Sequence, residues 1–285
     1  AYHIPCDEIN SLLRDRFNNI WLGSIGGGVL MIDTKQSPFT FYSLNLAEDD
    51  VPTTAVRALF ADADKDLWLG TGSYGLARKD YETGVLSFFS HIPEFSDIPG
   101  VPTVNYIIQR KNGEVWFATY DGGILIYEKG EKVKVLTESD TPYLYSDCVS
   151  ALCEDSKGNC WVGCRGGMGI SLADGGHYRF GTLSFAGGGL ADWYHVKDIV
   201  EDADGSFWIA TANYGIIHIM GDVQHPETLK YSNYSYNNGQ LATNSVLCLH
   251  VDKSGRLWAG TEGGGLYLYD YKENVFTEKN QEYQL

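Results

Sequence analysis

The stretch Val246-Leu247-Cys248-Leu249-His250-Val251-Asp252-Lys253-Ser254-Gly255-Arg256-Leu257-Trp258-Ala259-Gly260-Thr261 decides the reading of this chain. Its first six residues are almost all apolar, which predicts a strand buried on both faces. Asp252-Lys253-Ser254-Gly255 then reads as a hairpin turn, because Asp accepts backbone N–H groups and Gly takes positive φ. The next strand carries Trp258 and, two residues on, Gly260, whose missing side chain leaves room for a bulky neighbour. After a Gly-rich turn comes a third strand, Leu266-Tyr267-Leu268-Tyr269-Asp270, and then a more polar run from Val275 to Lys279 that suits an outer edge.

The same pattern starts at Ile9, Val56, Val104, Val149 and Val196, so the chain holds six copies of it. The repeat tryptophans are Trp21, Trp68, Trp116, Trp161, Trp208 and Trp258, spaced by 45 to 50 residues, the size of one four-stranded propeller blade. The expected fold is an all-β propeller of four-stranded blades, one domain over 1–285 with blades near 1–46, 47–94, 95–139, 140–186, 187–236 and 237–285. A Trp fixed at one place in every repeat reads as core rather than as an exposed platform for sugars. Burying each ring removes roughly 150–250 Å² from water, worth about 4–6 kcal/mol as an upper bound. The small residues beside them (Gly23, Gly70, Ala118, Gly163, Ala210, Gly260) read as contacts between blades.

Acidic residues number 37 against 21 basic, a net charge of −16, which repels nucleic acid and anionic lipid. A neutral or weakly charged ligand fits better, with Arg57, Arg165 and Lys197 as the local basic exceptions. No run of about 18 apolar residues exists to span a bilayer, and the first residues lack the pattern of a signal peptide. The six cysteines match no closed zinc site. Cys153 and Cys160 flank a hairpin turn, so they read either as a disulfide or as small buried hydrophobes. The acidic turns at Asp62–Asp66 and Asp202–Ser206 start like calcium loops, but Ser73 and Asn213 stand where a bidentate Glu is needed, so they read as ordinary turns. No metal or cofactor is expected.

The run Asp252 to Thr261 followed by Gly264-Gly265-Leu266 resembles the two-component regulator propeller repeat, and the resemblance covers essentially the whole chain. Blade three departs from it at Arg110 and Ala118, and blade four has Cys164 in place of the motif Thr. The resemblance implies the periplasmic sensor region of a bacterial hybrid two-component system of polysaccharide-digesting bacteria. Such parents carry propellers of usually seven blades, a membrane helix and a histidine kinase, and are expected to act as homodimers anchored in the inner membrane. By that standard the six repeats are expected to be a crop from a longer array, with a seventh blade outside it.

By fold-level analogy a ligand binds on the face formed by the turns between second and third strands and the loops entering each first strand. There the repeat varies. After the motif Thr it reads Ile25, Gly72, Tyr120, Arg165, Ala212 and Glu262, and then Gly26, Ser73, Asp121, Gly166, Asn213 and Gly263. At the second position of the first strand it reads Asn10, Arg57, Asn105, Ser150, Lys197 and Leu247. Trp193, Tyr120 and Tyr214 offer flat faces for a sugar, while Arg57, Asn105, Asp121, Arg165 and Asn213 offer hydrogen bonds to hydroxyls. His195 and Lys197 complete the candidate ligand-binding set, and no catalytic residue is assigned. The expected function is non-catalytic sensing of an oligosaccharide or polysaccharide breakdown product. A protein-interaction or dimerisation platform is the alternative. A lyase or glycosidase is a weaker one, since the arginine cluster of a sialidase does not assemble readily from the eight arginines present.

Overall fold

The computed structural model describes residues 9–16, 19–24, 28–32, 40–42, 55–72, 75–88, 91–98, 103–181, 183–184, 190–191 and 194–280. The fold is an all-β propeller fold of six four-stranded antiparallel blades, with one further two-stranded ribbon. Each blade is a simple meander in which consecutive strands pair, as the short turns of the repeat require. Two compact units are formed, Ala1–Leu136 and Thr137–Leu285.

The first unit holds three blades: β1 (Ile9–Arg14), β2 (Ile20–Ser24), β3 (Gly28–Ile32) and β4 (Thr40–Tyr42); β5 (Val56–Ala61), β6 (Leu67–Thr71), β7 (Leu76–Lys79) and β8 (Leu86–Phe88); β9 (Val104–Gln109), β10 (Val115–Thr119), β11 (Ile124–Tyr127) and β12 (Lys134–Leu136). In the second unit blade four is β13 (Val149–Glu154), β14 (Cys160–Cys164), β15 (Gly167–Ser171) and β16 (His177–Phe180). The ribbon of β17 (Leu183–Ser184) and β18 (Leu190–Ala191) follows it. Blade five is β19 (Val196–Glu201), β20 (Phe207–Thr211), β21 (Ile216–Met220) and β22 (Lys230–Tyr234), and blade six is β23 (Val246–Val251), β24 (Leu257–Thr261), β25 (Gly265–Asp270) and β26 (Val275–Glu278).

The core lies between blades. Within the first unit β1 neighbours β5 and β5 neighbours β9; within the second, β13 neighbours β19 and β19 neighbours β23. The small residue after each Trp is what lets them approach. A Cβ on Gly23 would lie 2.9 Å from Val56 Cγ1, one on Gly70 2.8 Å from Val104 Cγ1, and one on Gly163 2.4 Å from Val196 Cγ1. The interblade contact expected at this position is therefore made against the first Val of the next blade.

Burial corrects one expectation. The first strands are only half-buried, with β5 exposing Arg57 and β23 exposing Leu247, Cys248 and His250, whereas β6, β10, β14 and β20 are buried at every position. A first strand has a sheet neighbour on one side only. The second strand has one on both sides and a neighbouring blade on its face, so the near-continuous apolar character of the first strand overstates its burial.

Trp68, Trp161 and Trp208 are fully buried and Trp21 and Trp116 nearly so, while Trp258 is half-buried. Each Asp that opens the hairpin turn reaches the indole six residues later. Trp Nε1 donates to Asp15 at 3.0 Å, Asp62 at 2.7 Å, Asp155 at 3.1 Å, Asp202 at 2.8 Å and Asp252 at 3.0 Å. The same carboxylates accept backbone N–H groups of their turns, for example from Asp66 to Asp62 and from Asn159 to Asp155. The acidic turns are thus capping devices for a buried indole. In blade three, Arg110 replaces the Asp, Glu114 accepts the Trp116 N–H at 3.0 Å, and the Arg110 guanidinium lies 4.8 Å from the Trp116 ring.

The disulfide alternative for Cys153 and Cys160 is not realised. Cys153 pairs with Trp161 and Cys160 with Glu154, so the two thiols fall on opposite faces of the hairpin. Cys148, Cys153, Cys160, Cys164 and Cys248 are all free thiols. Burial pushes Cys153 up to about 12 and Cys164 up to about 11, so both behave as small hydrophobes.

Candidate functional site

Every first strand carries a one-residue bulge at its second position. The register slips between Ile9 and Ser11, Val56 and Ala58, Val104 and Tyr106, Val149 and Ala151, Val196 and Asp198, and Val246 and Cys248. The extra residues are Asn10, Arg57, Asn105, Ser150, Lys197 and Leu247, the positions where the repeat varies. A bulge leaves one residue out of the ladder and re-aims its side chain. Here it frees a non-repeating residue at the same end of each blade as the turn after the motif Thr.

In blades two to six that turn is tied to the strand entry by a backbone bond. Gly72 donates to Ala55 O at 2.9 Å, Tyr120 to Thr103 O at 2.9 Å, Arg165 to Cys148 O at 3.0 Å, Ala212 to His195 O at 2.9 Å, and Glu262 to Ser245 O at 3.0 Å. The motif hydroxyl braces the other side of the turn, as where Thr119 Oγ1 donates to Gly123 O and Thr211 Oγ1 to Gly215 O, both at 2.8 Å. Variable residues are thus held on rigid strand ends rather than on free loops.

In the second unit these links gather four candidates. Arg165 and His195 form an antiparallel bridge, and Gly166 N–H donates to Tyr194 O at 3.2 Å. His195 N–H donates to Asn213 Oδ1 at 3.2 Å, and Lys197 follows two residues on at the bulge. Tyr194 anchors the entry loop, being fully buried with its hydroxyl donating to Phe180 O at 2.6 Å. Burial first, then the charges of Lys197 and Arg165, hold His195 down at about 4. At neutral pH the cluster therefore offers a neutral imidazole beside two cations and an amide.

In the first unit Arg57 is exposed at its bulge and its Nε lies 3.4 Å from where a Gly72 Cβ would be. Thr103 Oγ1 donates to Gly72 O at 2.7 Å, joining blade two's turn to blade three's entry, where Tyr120 is bonded in turn. The Tyr120 ring is 51% exposed, Asp121 is exposed, and Asn105 is half-buried at the bulge of β9. Tyr214 differs from Tyr120 in being half-buried against the core between blades four and five, so it packs its loop. Trp193 lies outside the described residues.

Sequence reasoning missed the residues that hold these groups in place. Thr103 and Ser146 brace the turns, with Ser146 Oγ donating to Arg165 O at 3.1 Å. Asp198, the third residue of β19, is buried and accepts the Leu249 N–H of blade six at 2.8 Å. A charge in the apolar run Val196–Glu201 was the available signal for it.

Residues 3–26, 146–166 and 240–263 match the two component regulator propeller family. No curated protein matches the chain by sequence. Among solved structures, the extracellular domain of BT4673 from B. thetaiotaomicron, assigned as a hybrid two component system, is similar at 19% identity and TM-score 0.50, over 96% of this chain and 36% of that one. PorZ, a bacterial surface component of the type-IX secretion system of Porphyromonas gingivalis, is similar at 20% identity and TM-score 0.65, over 91% of this chain and 38% of that one. Virginiamycin B lyase from Staphylococcus aureus reaches TM-score 0.65 at 16% identity, over 95% and 83%. At these identities the likeness is one of fold. The chain spans about a third of the length of BT4673's extracellular domain.

Proposed function

We propose that the chain, three segments of which match the two component regulator propeller family, is a ligand-sensing module of a hybrid two-component signalling protein, non-catalytic in itself and working outside the cytoplasm. Its ligand in this reading is an oligosaccharide or another polysaccharide breakdown product. The observation that supports this most is the bulge in every first strand. It presents a residue that varies among the blades at the same end of each blade, beside the equally variable residue after the motif Thr.

The chemistry suits hydroxyl-rich ligands. In the second unit Arg165, Lys197 and Asn213 supply donors, and His195 stays neutral and able to accept. No helix among the described residues is long and apolar enough to cross a membrane. Signalling would pass through the homodimeric parent.

A thermal-shift and calorimetric screen against neutral and acidic oligosaccharides tests the reading. A ligand at 100 times its dissociation constant adds about 2.7 kcal/mol of stability. We expect a selective shift that Arg165→Ala abolishes while leaving the unliganded melting temperature within a few degrees. If both the chain and its intact parent ectodomain stay unshifted across the panel, sugar sensing is refuted. A change in light scattering with concentration instead favours the dimerisation platform.

A further inference from the structure

At most blade interfaces described here, the repeat Trp is covered by an aromatic ring of the next blade. Tyr127 lies over Trp68 with centroids 5.0 Å apart, Tyr269 over Trp208 at 4.6 Å, and Phe207 over Trp161 at 4.1 Å. Between blades one and two the pattern changes. Lys79 stands opposite Leu67, the place that Tyr127 takes opposite Val115 in blade three. Its ammonium lies 5.7 Å from the Trp21 ring and leaves room beside it. The result is a cleft of about 560 Å³, open at the end of the blades that carries the first hairpin turns. This is the opposite end of β5 from Arg57.

Arg14, Arg16, Lys65 and Lys79 all line this cleft, in a chain whose net charge is −16. The Lys65 ammonium sits 4.5 Å and the Arg16 guanidinium 6.0 Å from the ring of Tyr81. Three carboxylates also line it, and each is engaged by donors of its own turn. Asp15 accepts from Asn19 and Trp21, Asp62 from Asp66 and Trp68, and Asp80 from the backbone and hydroxyl of Thr83. Trp21, Leu13, Met31 and Leu67 make the wall apolar.

Lys65 carries an independent sign. Its φ is +78°, in the left-handed region, at a turn position held by Gly113, Gly158, Gly205 and Gly255 in four other blades with φ of 95°, 86°, 80° and 72°. A side chain there costs stability that glycine avoids. What blade two gains for that strain is an ammonium at the mouth of the cleft.

We infer that this cleft is a second binding site, for a small organic anion with a flat apolar body, such as an aromatic carboxylate. The ring lies along Trp21 and Tyr81, and the carboxylate meets Lys65, Lys79 and the arginines. Nothing in the sensing face enters the inference, and the two stand or fall separately.

The test is titration of the whole chain with naphthoate, and with naphthalenemethanol as its neutral counterpart, followed by calorimetry and by the indole N–H resonance of Trp21. Naphthoate is expected to shift that resonance, and the alcohol to bind more weakly by about tenfold. Lys65→Gly restores the residue used by the other turns and Lys79→Tyr restores the missing cover. Both are expected to keep or raise the melting temperature while weakening naphthoate by about tenfold or more. Equal binding of acid and alcohol, unchanged affinity in the folded variants, or no shift of Trp21 at millimolar naphthoate overturns the assignment.

Discussion

Replacing Asp202 by Ala removes one carboxylate from three donors at once. Oδ2 accepts Trp208 Nε1 at 2.8 Å and the Tyr271 hydroxyl at 2.9 Å, and Oδ1 accepts the Ala203 N–H at 2.7 Å. Tyr271 is 45% exposed and Trp208 is 0% exposed, so after the change the phenol finds water and the indole N–H does not. An orphaned buried donor costs about 1–3 kcal/mol, and the lost bonds to Tyr271 and the turn add about 1 kcal/mol each. Asp202 is itself buried, so its removal recovers part of a desolvation penalty and brings the expected net loss to about 2–4 kcal/mol. That is a large share of the 5–15 kcal/mol typical of a domain. Urea unfolding followed by circular dichroism reads it as a fall in midpoint at constant slope. Asp202→Asn, which keeps an oxygen for the indole, should lose about half as much, and Asp252→Ala less than Asp202→Ala because Trp258 is only half-buried. Combining Asp202→Ala with Trp208→Phe should cost less than the sum, since Phe has no N–H to orphan. A loss under about 1 kcal/mol for Asp202→Ala, or additivity in the double variant, refutes the view that the Asp exists to satisfy the indole.

His195 sits at about 4 in the fold against about 6.5 for a free imidazole, so between these pH values the unfolded chain binds more protons and stability rises with pH, levelling off above about 6.5. The shift corresponds to at most about 3 kcal/mol, reduced to about 1–2 kcal/mol by solvent screening at a half-buried site. His195→Gln should flatten that part of the urea-midpoint profile, and parallel profiles would count against the assignment. Gly70→Ala should lower stability by about 1–3 kcal/mol, because the new Cβ meets both the side chain and the backbone oxygen of Val104 at 2.8 Å; an unchanged melting temperature would show that the blades slide to make room. Cys153 and Cys164, held up at about 12 and about 11 by burial, should resist iodoacetamide at about pH 8 in the native protein and react in urea, as read by mass spectrometry.

The parts of the fold legible in sequence are those made by residues close in the chain. Asp and Trp six residues apart form the same bond in five blades, so their recurrence marks both the turn and the buried ring. Blade three shows that the constraint is physical rather than formal. With Arg110 at the Asp position, Glu114 on the other side of the turn takes over the indole N–H. Register is less legible. Seven residues separate Cys153 from Cys160, a spacing that suits a hairpin bridge, yet the ladder sets each one place off from the other. A shift of one residue reverses the face of a side chain, and composition carries no record of it.

The candidate site shows the same division more sharply. The variable positions were visible as breaks in the repeat, and the structure places Arg165, His195, Lys197 and Asn213 together, and Arg57 near Tyr120 through Gly72 and Thr103. The reason they can vary was not visible. Each bulged residue has left the ladder, so its side chain is not fixed by the pairing of its own strand, although Ser150 Oγ still donates to Gly163 O and Val196 O. Folding is carried by the residues on either side, with the first Val packed against the preceding blade's small residue, as Val56 on Gly23 and Val104 on Gly70. A repeat built this way lets the bulged residue differ from blade to blade while the contacts of the first Val between blades are kept. The cleft beneath blades one and two follows from a difference at a position between blades. Lys79 stands where blades three and six place a Tyr over the preceding blade's Trp, and the space beside it is revealed only by the neighbouring blade's Trp21. Sequence comparison within one blade cannot detect it, because the consequence falls on another blade.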